Sequence, residues 1–199
     1  MTPLRFIELA STQPEVSDDR YVRMAGPELM ALIQSGRPLL LSEINAHPDQ
    51  RQEWCRFRCG HVLGPGLSTE AISSWQSLHP DLPLSADITD WLAQIDGIHL
   101  WADLDTGLSY FGIRPLSEWR RALDDDSAIL FDEQPRDTLV ISYHTNGDYF
   151  LLLQASENRF TWFDPQSPDD SEVIGASVSD LLDWWWDRAE EMDPRTATT

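Results

Sequence analysis

The stretch 138–154, TLVISYHTNGDYFLLLQ, followed at 155–164 by ASENRFTWFD, decides the architecture. Two apolar runs flank Asn146-Gly147, a pair that accepts the positive backbone angles of a tight reversal, so the segment predicts a β-hairpin. The short ASEN link then adds RFTWFD as a third strand and turns the hairpin into a meander. Upstream, IHLWADL (98–104), LSYFGI (108–113) and SAILF (127–131) are short apolar segments cut by turn residues, with a short helix expected at SEWRRAL (117–123). Strands joined mostly by turns rather than helices imply an antiparallel sheet.

Helical patterns lie on either side of these strands. STEAISSWQSLHP (68–80) offers Ser68 as a cap and Ile72 and Trp75 at helical spacing. LSADITDWLAQIDG (84–97) has Ser85 as its cap, an apolar stripe of Ile88, Trp91, Leu92 and Ile95, and Gly97 as its expected closing residue. The last helix, SDLLDWWWDRAEEM (179–192), holds three consecutive tryptophans among acids. Neighbours on a helix point about 100° apart, so Trp185 falls on the core stripe while Trp184 and Trp186 fall on its two borders.

The fold class is therefore α+β: an antiparallel sheet of about five or six strands with helices packed on one side, at 67–192. An N-terminal extension (1–66) precedes it and a disordered tail (193–199) follows. In the extension, GPELMALIQSG (26–36) predicts a short helix with Pro27 in its first turn. PLLLSEI (38–44) and RFRCGHVL (56–63) predict short strands, and Gly64-Pro65-Gly66 marks a junction.

Charge is the dominant compositional feature. The formal net charge is −20 across 199 residues, and all 14 cations are arginine. Such a field repels nucleic acid and anionic membranes, so neither is an expected partner, and it draws basic proteins. No apolar run reaches the length of a membrane span. The opening residues MTPLRFIELASTQPEVSDD lack the long apolar core of a signal peptide, which favours a cytoplasmic location with both cysteines reduced.

No nucleophile elbow, phosphate loop, dinucleotide fingerprint or HExxH helix occurs, so no catalytic residues are assigned and no cofactor is expected. Cys55, Cys59 and His61 carry zinc-ligand chemistry, with His47 upstream. Their CxxxC spacing departs from the tight CxxC knuckle, and reduced, buried cysteines fit it better, so no metal site is assigned. DxD in WADLDTG (101–107) lacks the further acid and glycine of a calcium loop. Acids cluster instead in DDDSAILFDEQPRD (124–137), six against one arginine, and in residues 161–199, ten against two. Acids beside aromatic residues form the composition of a tight protein contact.

LHPDLPLSADITDWLAQIDGIHLW (78–101), followed by short strands and LSEW, resembles the opening signature of the SUKH superfamily. Its places are taken here by Leu82-Pro83, Trp91-Leu92 and Asp96-Gly97, with aspartate where asparagine is commoner. The resemblance runs from about Ser68 to Glu191. It implies a non-catalytic binding module and, for bacterial members, an immunity protein that neutralises a cognate toxin, the partner being a basic catalytic domain. With the acidity, it nominates Asp124, Asp125, Asp126, Asp132, Glu133, Asp169 and Asp170 for steering and pairing. Trp184 and Trp186 are candidate anchors, and Trp101 and Tyr110 candidate liners of the sheet's open side. Two alternatives stay open: a non-catalytic intracellular scaffold or regulator, and a zinc-binding protein or small enzyme at Cys55–His61.

Overall fold

A computed structural model describes residues 1–35, 47–105, 111–124, 131–143, 149–193 and 195. The expected strand PLLLSEI, the Asn146-Gly147 turn, most of SAILF and the first half of LSYFGI lie outside these residues, as do 194 and 196–199 of the expected tail. The chain divides into two compact units, Ser17–Arg58 and a larger one made of Met1–Val16 with Cys59–Thr199.

The smaller unit contains most of strand β1 (Val16–Ala25), helix α2 (Pro27–Gln34) and the first part of β2 (Gln50–Pro65). Helix α2 starts at Pro27 as expected. Its first turn is capped from a distance: the Asp49 carboxylate accepts from the backbone N–H groups of Glu28 (2.7 Å) and Leu29 (3.2 Å).

In the larger unit the α+β class holds, and its strands are distributed over two antiparallel sheets. One has the order β2, β3 (Ile95–Asp103), β4 (Phe111–Ile113), β7 (Ser142–Tyr143). The other runs β10 (Glu172–Gly175), β9 (Arg159–Phe163), β8 (Phe150–Gln154), β6 (Thr138–Val140), β5 (Arg120–Arg121). The predicted hairpin pairs as expected, with Leu139 opposite Leu153 and Val140 opposite Leu152, and the meander continues with Leu151 opposite Trp162.

The run TLVISYH, however, serves both sheets. At buried Ile141 the backbone N–H donates to the Leu151 carbonyl (3.0 Å) while its own carbonyl accepts from Arg114 N–H (2.8 Å). Beyond it, Ser142 and Tyr143 pair with β4. This change of partner explains why an unbroken apolar run is needed: Leu139, Val140 and Ile141 are all buried.

The same reasoning accounts for FLLLQ. Side chains alternate along a strand, so Leu151 and Leu153 enter the main core with Leu139 and Phe160, while Phe150 and Leu152 enter a second cluster with Phe131, Val140 and Phe163. The main core is closed by helix α4 (Ala86–Leu92), α5 (Val178–Glu191) and the N-terminal helix α1 (Pro3–Thr12). Helix α3 (Thr69–Leu78) contributes Ile72 and is capped by Ser68, whose hydroxyl accepts from Ala71 N–H.

Two local expectations are corrected, and one helix is added to them. SEWRRAL is not a helix: it is a 3-10 turn (Leu116–Glu118), strand β5 and a second 3-10 turn (Ala122–Asp124). Trp119 sets this path, because its extended backbone buries the indole and lets Nε1–H donate to the Arg114 carbonyl (2.8 Å). Gly97 does not close α4, which ends at Leu92; it lies inside β3 with φ +98°. Helix α1 was not anticipated, although Thr2 as cap, Pro3 in the first turn and Phe6 and Ala10 four apart compose its signal. Among the described residues no helix is long and apolar enough to cross a membrane.

Candidate functional site

Helix α5 organises the part of the surface where the sequence expectations converge. Ser177 caps it, accepting from Asp180 N–H, and the Asp87 carboxylate of α4 accepts from Val178 N–H at 2.6 Å. Trp185 is fully buried, as its central place on the stripe requires. Burying a side chain of this size contributes about 3 kcal/mol. Its neighbours are not symmetric borders. Trp184 is half-buried, whereas Trp186 is only 7% exposed. The cause is helix α1, whose Phe6 meets the Trp186 ring edge-on at 5.7 Å.

On the Trp184 flank, the register of β8 and β9 produces an aromatic row. Tyr149 stacks on Trp162 (5.6 Å, 9° between planes), and Trp162 meets Trp184 at 5.2 Å. Tyr149 is 39% exposed, while Trp162 and Trp184 are half-buried. Charged groups border the row. Glu172, opposite Trp162 on β10, accepts from Trp184 Nε1–H at 3.1 Å, and Arg188 lies over the Trp184 ring at 5.1 Å. Asp169 and Asp170 are exposed in the 3-10 turn (Pro168–Asp170) that leads into β10.

On the Trp186 flank, a cleft of about 270 Å³ opens between the C-terminal end of α5 and the β2–β3 ladder. Its geometry comes from a β-bulge. Gly60 pairs with Ala102 and Val62 with His99, so the single residue His61 faces both Leu100 and Trp101. Trp101 adopts φ +50°, a conformation usual for glycine, and this aims its indole at the helix rather than along the strand. Trp101 Nε1–H then donates to the Ala189 carbonyl (2.7 Å), and its backbone N–H donates to His61 Nδ1 (3.2 Å). Trp101 is thereby 4% exposed. This corrects the expectation that it lines an open side of the sheet.

The His61 ring lies 4.4 Å from Trp101 and 5.8 Å from Trp186. Burial pushes its pKa down to about 4, with Asp193 opposing and Arg195 reinforcing the change, so the imidazole is neutral at physiological pH. At the mouth, the Arg195 guanidinium forks onto Asp193, Nε donating to Oδ1 (2.8 Å) and Nη2 to Oδ2 (2.5 Å). It also donates to Gln13 Oε1 (3.1 Å) and lies over the Trp101 ring at 5.7 Å. The guanidinium holds the Asp193 carboxyl below the usual carboxylate range. Glu190 completes the rim and accepts from Trp186 Nε1–H at 3.0 Å.

The other expected residues are dispersed. Asp124 is exposed beside a smaller cavity lined by Trp75, His79 and Trp119, 3.8 Å from Arg121. Asp132 and Glu133 are exposed. Asp125, Asp126 and Tyr110 lie outside the described residues. Cys55 is half-buried and Cys59 buried, neither in a disulfide, and among the described residues no group of three His, Cys, Asp or Glu side chains is placed to hold a metal. The cleft itself is not legible in the sequence, where His61 stands beside the cysteines, and Arg195 stands among the bases of 161–199 and in the tail. No protein-family model matches the chain, and a comparison with curated proteins finds no match.

Proposed function

We propose that this chain is an immunity protein that binds the catalytic domain of a cognate bacterial toxin and occludes its active site. The observation that carries this reading is the row Tyr149, Trp162 and Trp184, partly exposed aromatic faces bordered by Glu172 and Arg188. Rigid aromatic anchors within a charged rim are the usual makings of a binding hot spot. The net charge of −20 favours a basic partner, and the resemblance of residues 68–191 to the SUKH superfamily supports the same role. In this reading Trp184 is an anchor. Asp124, Asp132, Glu133, Asp169 and Asp170 steer and pair, and Asp125, Asp126 and Tyr110 remain candidates on sequence grounds. Trp186 and Trp101, being buried, serve the cleft instead.

Co-expression with the toxin domain encoded beside the gene should protect cells, and the two purified proteins should form a complex. Trp184→Ala should weaken that complex by about 2 kcal/mol or more while the thermal unfolding midpoint stays within a few degrees. Absence of any complex with a toxin encoded next to the gene would remove this reading.

A further inference from the structure

The cleft beside Trp186 already has an occupant, and the chemistry of that occupant is informative. Arg195 places a planar cation against an indole face, forks it onto the carboxylate of Asp193, whose side chain is only 11% exposed, and satisfies a further N–H on Gln13. An aromatic wall, a fixed carboxylate and an amide acceptor are what a guanidinium needs, because its donors are planar and forked while its faces are poorly hydrated. Little else explains the cleft's construction. The carboxylate of Asp193 and that of Glu190 stand at its mouth, and Trp101 holds its position through a positive φ that a bulky side chain adopts only at a cost.

We infer that this cleft is a receptor for an arginine side chain of a basic protein partner, and that Arg195 is its intramolecular stand-in, displaced when the partner's arginine enters. Arg195 is suited to leaving. Its side chain is 45% exposed, and it is attached through the residues that follow the end of α5. A tethered competitor of this kind acts at an effective concentration on the order of millimolar, enough to reject isolated cations but not a partner with further contacts. The identity of the partner rests on the binding role proposed above; the receptor chemistry does not.

The test titrates N-acetyl-arginine amide into the full-length protein and follows the indole Nε1–H resonances of Trp101 and Trp186. Titrations with the lysine and citrulline analogues run in parallel. In Arg195→Ala and Arg195→Gln the arginine probe should shift both resonances saturably, at least about threefold more tightly than in the native chain, where the tether competes. The lysine analogue should bind about fivefold more weakly, lacking the planar fork, and citrulline should not bind. Adding Asp193→Asn to either variant should abolish the response. No saturable shift at either indole in both Arg195 variants, or equal binding of arginine and citrulline, overturns the proposal. So does equal binding of arginine and lysine. Because the probe is a small molecule, these outcomes stand whether or not a toxin complex is found.

Discussion

His61 couples the strand bulge to the helix end through a ring that must stay unprotonated. Its Nδ1 accepts the Trp101 N–H, so the ring proton sits on Nε2, and burial carries the pKa from its ordinary 6.5 to about 4. Between those values the unfolded chain binds a proton that the folded chain refuses. Stability due to this group is therefore complete above about pH 6.5 and is lost as pH falls toward 4. Asparagine at 61 keeps an acceptor near the Trp101 N–H and does not titrate. Between pH 7 and pH 5 the native protein should lose about 1 kcal/mol more unfolding free energy than His61→Asn in urea titrations, a figure reduced for the ring's partial exposure. His99 is shifted downward by burial as well and adds a loss of the same sign to both proteins, so it cancels. Equal losses in the two proteins would show that His61 is not held neutral. None of this was legible from residue 61 alone, because its partners Trp101, Asp193 and Arg195 are far along the chain.

Strand β3 carries two bulges, and together they decide where its side chains point. Gly64 faces both Asp96 and Gly97, and His61 faces both Leu100 and Trp101, each bulge including a residue of positive φ. At the first, a Cβ on residue 64 would lie 1.8 Å from the Asp96 carbonyl oxygen, so the two backbones approach too closely for any other residue. Gly64→Ala should cost about 2 kcal/mol or more in chemical unfolding, while the same change at Gly60, where the added atom meets only Leu104 methyls at 3.2 and 3.4 Å, should cost less. Similar losses at both positions would mean that the bulge does not constrain residue 64. The contrast marks what could be read in advance. Helices α3 and α4 were legible because Ser68 and Ser85 announce their caps locally, and β8 with β9 because the apolar runs and turn are adjacent. The division of TLVISYH between two sheets was not, since it depends on Arg114 and Leu151 lying on either side of Ile141. Nor was the burial of Trp186, which depends on Phe6 in a helix at the other end of the chain.

Across the molecule, the binding role proposed above divides association between charge and aromatic surface in a way that kinetics can separate. Thirty-four acids against 14 arginines create a field that would act before contact, whereas the Tyr149–Trp162–Trp184 row would act only after it. Exposed charges beyond about 10 Å are screened at 0.1 M salt, so the first contribution fades with ionic strength and the second persists. The acids of the Pro168–Asp170 turn belong to the first class, being exposed in the turn that leads into β10. Reversing both Asp169 and Asp170 to arginine should slow association with a basic partner by about tenfold at low salt, with dissociation changed by less than about twofold. The difference in association should vanish near 0.5 M salt, where the Debye length is only a few ångström. Trp184→Ala should behave oppositely: association nearly unchanged, dissociation faster, and the effect independent of salt. Stopped-flow measurement of both variants against the proposed basic partner at three ionic strengths checks this division. A Trp184→Ala defect that disappears in high salt would place the indole outside the contact and leave the acids as the interface itself.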